Sequence, residues 1–81
     1  MGKTCRESVI EALDRLERQQ RRDVFDLWEI VDEVRRHTRR FKESTIRTHV
    51  SSYMCAQAPK NHGTKFSDLD RVSRGQYRRR N

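Results

Sequence analysis

Apolar residues near the start of the chain recur at helical spacing. Val9, Ile10, Leu13 and Leu16 form one stripe, while Glu7, Glu11, Asp14, Arg15, Glu17 and Arg18 fill the rest of each turn. This pattern predicts an amphipathic helix over about residues 4–19. Thr4 followed three residues later by Glu7 is a capping box, in which hydroxyl and carboxylate each satisfy an orphan backbone donor. The pattern fades across the polar residues 19–22.

Val24 and Phe25 are too short a run to stand alone and are expected to pair as a brief strand. Asp26 and Glu29 form a second capping box, and Phe25 and Ile30 have the spacing of a hydrophobic staple. Leu27, Ile30, Val31 and Val34 make the next buried stripe, with Trp28 expected as core or partly buried packing beside it. This second helix should cover about 27–38. It ends among Arg35, Arg36, Arg39 and Arg40, which favour the negative helix C-terminus. Past a turn holding Phe41, Ile46, Val50 and Met54 recur every four residues. They predict a third helix over 42–58, stopped by Pro59.

At 100° per residue, the outward face of that helix carries Ser44, Thr45, Thr48, Ser51 and Ser52, with Arg47 on its edge. Asn61, His62 and Gly63 are turn chemistry. The remainder alternates and predicts a hairpin over about 68–80, closed by Arg74-Gly75, with Leu69, Val72 and Tyr77 packing inward. The 81 residues therefore read as a single domain, mainly α with a small β-hairpin. The order of helix, short strand, helix, tight turn, helix and hairpin is the plan of a three-helix winged helix-turn-helix.

Charge sharpens the picture. Nineteen Lys and Arg face twelve Asp and Glu, giving +7 and a pI near 10.3. Residues 1–33 hold six basic and nine acidic side chains, whereas residues 34–81 hold thirteen and three. A cationic C-terminal part suits a phosphate backbone, because each neutralised phosphate releases condensed counterions. The two cysteines, Cys5 and Cys55, make no CxxC pair, and no histidine stands at zinc-ligand spacing from them. No metal or other cofactor is expected, and no catalytic constellation has workable spacing. The chain is expected to be a cytoplasmic bacterial protein, nucleoid-associated if bound to DNA, with no membrane partner and no enzymatic activity.

The stretch from Glu43 to His49, then Ser52-Tyr53-Met54-Cys55, Asn61-His62 and Arg74-Gly75-Gln76-Tyr77, resembles a poorly characterised family of small bacterial winged helix domains. These occur alone or attached to larger proteins that include nucleases. The resemblance covers roughly residues 7–80 and implies the winged helix fold and a role at DNA.

Double-stranded DNA is accordingly the expected partner, bound by a regulator or DNA-targeting module. The third helix would enter the major groove and a basic wing would lie on the flanking backbone or minor groove. The expected contacts are Arg39, Arg40, Lys42, Ser44, Thr45, Arg47, Thr48, Ser51, Ser52, Lys60, Lys65 and Arg74, with Arg47 and Thr48 foremost. The competing reading is a protein-interaction module of a larger assembly, such as a restriction or defence system. A homodimer or a larger protein partner stays open. RNA or single-stranded nucleic acid is disfavoured, since only Phe41 and Tyr53 stand where bases could stack.

Overall fold

Two side-chain caps decide where the first two helices begin. In the computed structural model, which describes residues 3–57 and 66–80, α1 runs Cys5–Gln20 behind the cap Thr4. The Glu7 N–H donates to Thr4 Oγ1 at 3.1 Å, and Glu7 Oε1 accepts the Thr4 N–H at 2.8 Å. These bonds hold the Glu7 carboxyl below the usual carboxylate range. The cap therefore contributes in full above that range and is lost as acid protonates Glu7. At the other end, Arg21 adopts a left-handed backbone (φ 53°), and its N–H reaches Glu17 O at 3.0 Å.

A three-residue strand, β1 (Val24–Asp26), leads directly into α2 (Leu27–His37). Glu29 Oε2 accepts the Asp26 N–H at 2.8 Å, which completes the second box. Phe25 and Ile30 are both fully buried, as the staple requires. After a turn, α3 (Glu43–Thr48) passes without a break into one π-helical turn (His49–Tyr53). The hairpin is β2 (Leu69–Ser73) and β3 (Gln76–Arg79). β3 lies in the middle of an antiparallel sheet of order β1-β3-β2, with Phe25 and Arg71 both opposite Tyr77. The described residues thus form three helices and a small three-stranded sheet.

One core joins all of them. Val9, Ala12, Leu13 and Leu16 of α1 meet Ile30, Val31 and Val34 of α2, Ile46 of α3, and Val50 and Met54 beyond it. Phe25, Leu69 and Tyr77 close the core from the sheet. Within it lies one charged residue, Glu33, whose side chain is 3% exposed. Arg15 Nε of α1 donates to Glu33 Oε2 at 2.8 Å, and His37 Nε2 lies 3.1 Å from the same oxygen. A buried carboxylate needs such partners, because its desolvation cost is otherwise several kcal/mol.

Four expectations are corrected. The third helix does not run to residue 58. Its α-helical part stops at Thr48, and the chain leaves the helix after Tyr53 because β2 claims the backbone. Leu69 N–H donates to Met54 O at 2.9 Å, and Ala56 N–H donates to Leu69 O at 2.8 Å. Trp28 is 67% exposed, not packed. It lies about 200° round α2 from Ile30, on the outer face. Val72 is 41% exposed. Leu69 and Val72 have opposite parity in a strand, and a bulge between Arg71 and Ser73 removes Val72 from the ladder. Ile10 and Leu27, placed in the buried stripes, are only half-buried.

Candidate functional site

The arginines fall into two groups. On the α1 flank they meet acids: Arg6 forks onto Asp68 at 2.8 and 2.9 Å, Arg15 holds Glu33, Arg18 holds Asp14, and Arg79 reaches Glu17 at 2.8 Å. Arg22 binds Glu29, and Arg80 lies 3.4 Å from Asp70. Arg79 ties the cationic C-terminal part back to an acid of the N-terminal part, and Arg6 with Asp68 joins the two parts in the opposite sense.

The other group has no acid at hand. Among the described residues, Arg39, Arg40 and Lys42 in the α2–α3 turn and Arg74 in the β2–β3 turn make no ion pair. Arg21, Arg71 and Arg78 are likewise unpaired. Arg40 donates to Lys3 O at 2.9 Å and lies 5.3 Å over the Phe41 ring, so its position is fixed while its charge is not neutralised.

The β2–β3 turn is held close to α2. Gly75 takes a left-handed backbone (φ 73°), which permits the two-residue turn. Its carbonyl accepts the Leu27 N–H at 2.9 Å, and Gln76 Nε2 donates to Asp26 Oδ1 at 3.1 Å. Arg74 thus stands on a turn clamped to the N-terminus of α2. Between this turn, the outer face of α2 and the start of α3 lies an open groove of about 1160 Å³. Leu27, Trp28 and Val31 give it apolar surface, and Arg35, Arg36, Arg39, Arg47 and Arg74 give it cations. Glu43 is 3.8 Å from both Arg35 and Arg47, so it bridges two of these cations weakly.

Of the residues expected from sequence, the groove gathers Arg39, Arg47 and Arg74. Ser44 and Thr48 are exposed beside Arg47 on α3. Thr45 is half-buried, and its carbonyl is 3.1 Å from His49 Nδ1. Ser51 and Ser52 are half-buried as well, with Ser51 Oγ donating to Arg47 O at 2.7 Å. The π turn explains the partial burial of Ser51 and Ser52. It holds more residues per turn than an α-helix, so a 100° projection fails beyond Thr48. The outward face is therefore shorter than the hydroxyl pattern suggested. Lys60 and Lys65 lie outside the described residues, as does the turn at Asn61-His62-Gly63.

Sequence reading missed the groove's α2 wall, namely Trp28, Arg35 and Arg36. Their helical positions relative to Ile30 and Val34 carried the signal.

Residues 4–79 match a family described as a domain of unknown function, DUF7669. The chain is a DUF7669 domain. The match starts at the α1 cap Thr4 and ends at Arg79, the last residue of β3. All three helices and all three strands therefore belong to the DUF7669 domain. The sequence matches no curated protein and no solved structure. Among the described residues of the DUF7669 domain, no cluster of three His, Cys, Asp or Glu could hold a metal. Nor is any of their helices long and apolar enough to cross a membrane.

Proposed function

We propose that this chain is a winged helix module that binds double-stranded DNA, serving as a regulator or as the DNA-targeting part of a larger system. The start of α3 enters the major groove with Ser44, Arg47 and Thr48 outward. The β2–β3 turn is the wing, and Arg74 rests on the flanking backbone or in a narrow minor groove.

The observation that carries this reading is the placement of the cations without acidic partners. Arg39, Arg40 and Lys42 flank one end of the exposed α3 face, and Arg74 stands across the groove from it. A protein that kept its arginines only for internal ion pairs would not leave four of them, counting Lys42, on the two turns beside one helix. The β1-β3-β2 strand order supports the reading too, since it brings the hairpin turn next to α2.

The test is titration of the full chain onto random-sequence duplex and onto random single strand across a salt series. With about 5 phosphate contacts, from Arg39, Arg40, Lys42, Arg47 and Arg74, duplex affinity should fall roughly 500-fold between 50 and 200 mM salt. No duplex binding at low salt, or binding that salt leaves unchanged, overturns the reading.

A further inference from the structure

Trp28 is the large aromatic that the fold leaves bare. It is 67% exposed on the first turn of α2. Phe25 and Tyr77 are core residues, and arginines cover the rings of Phe66 and Phe41, at 4.3 and 5.3 Å. Among the described residues, no guanidinium lies over Trp28 and no group bonds its indole N–H. Yet Arg35 and Arg74 line the same groove.

Of the groove's three acids, two are engaged within it, and Asp32 is exposed on α2 without an ion pair among the described residues. Glu43 sits between Arg35 and Arg47, and Asp26 accepts from Gln76. Arg39 and Arg74 remain unpaired at opposite ends of α2. Eleven helical residues separate those ends, a distance of about 16 Å. Two free guanidinium groups that far apart, with a bare indole between them, do not suit a single small anion. They suit a chain that alternates anionic and apolar units. A nucleic-acid strand does this, with a phosphate and a deoxyribose in every nucleotide. In a duplex the base faces are already stacked, so a bare indole meets the sugar.

We infer that one sugar–phosphate strand of a bound duplex runs along this groove, with Trp28 against deoxyribose and Arg39 and Arg74 on phosphates to either side. This rests on the DNA-binding reading and extends it. The footprint includes the outer face of α2 as well as α3 and the turn, and Trp28 is a binding residue.

Trp28 is the sole tryptophan, so its emission reports on this groove alone. The full chain is titrated with fluorescein-labelled random duplex at low salt, following anisotropy and, with unlabelled duplex, tryptophan emission. The expected result is a change in emission with the same midpoint as the rise in anisotropy. Trp28→Ala should lose about tenfold in affinity, Trp28→Phe should keep most of it, and both should melt like the parent. If anisotropy rises while emission stays flat and Trp28→Ala binds normally, the strand runs elsewhere and only this inference falls. If anisotropy does not rise, the DNA-binding reading falls and takes the inference with it. A change in emission with polyglutamate but not with duplex would overturn both and assign the groove to an acidic protein.

Discussion

The α1 flank and the α3–turn flank use the same residue type to opposite ends. On α1, Arg15 closes over the buried Glu33, Arg6 forks onto Asp68, and Arg79 reaches across from β3 to Glu17. Each bond joins α1 to a part of the chain distant in sequence, so these arginines belong to the architecture. On the other flank, Arg39, Lys42 and Arg74 sit on turns, exposed and without acids. They make no ion pair within the described residues and raise the local positive potential. Net charge alone conceals this difference. Where the acids lie in space decides which cations remain for an outside partner.

Breaking the core beneath α3 should have the largest effect. Ile46 is fully buried among all three helices, and Ile46→Ala should cost about 2–4 kcal/mol in urea melts. Glu33→Ala comes next. It leaves Arg15 facing an apolar interior, and the loss should be about 2–3 kcal/mol, moderated because Arg15 is partly exposed. For this variant, duplex affinity per folded molecule should not fall, because the change also frees Arg36 of the groove, which lies 3.6 Å from Glu33. Should it fall sharply instead, the two flanks are coupled and the division fails.

The same division predicts a reversed profile on the other flank. Arg47→Ala and Arg74→Ala should each change stability by less than about 0.5 kcal/mol, since the only ion pair involved is an exposed one at 3.8 Å. Each should weaken duplex binding by about 1–3 kcal/mol, seen by anisotropy. If Arg47 reads a guanine edge, its loss also relaxes sequence preference. If it only clamps phosphate, all sequences weaken alike. The smallest effect is expected at Arg21, whose left-handed backbone costs a side-chain-bearing residue about 1 kcal/mol. Arg21→Gly should raise stability by about 0.5–1 kcal/mol with no change in binding.

Local chemistry made much of this fold legible in the sequence. Both capping boxes, the Phe25–Ile30 staple and the Arg74-Gly75 turn depend on residues within a few positions of each other. Their geometry follows from spacing alone. What escaped depends on distant partners. The exit from α3 after Tyr53 is set by hydrogen bonds to Leu69, and nothing in the apolar rhythm of Ile46, Val50 and Met54 marks it. That rhythm was right about burial and wrong about helix type. The same turn moved Ser51 and Ser52 off the outward face. Trp28 is a different case. Its hydrophobicity suggested burial, whereas its angular position on α2 pointed outward, and position prevailed. Which arginines stay unpaired was not readable, because Arg79–Glu17 and Arg6–Asp68 each span 62 positions.

The central claim is that the unpaired cations of the α2–α3 and β2–β3 turns, not the overall positive charge, bind the duplex. It is tested most directly by two triple variants that remove equal charge. One is Arg39→Ala/Lys42→Ala/Arg74→Ala, and the other is Lys3→Ala/Arg18→Ala/Arg80→Ala, whose residues are exposed but acid-paired. Both are titrated onto random duplex at one salt concentration after their melts confirm folding. The first should lose about 100-fold or more in affinity, and the second should stay within about 3-fold of the parent. Equal losses in the two would contradict the claim and leave only non-specific attraction by net charge.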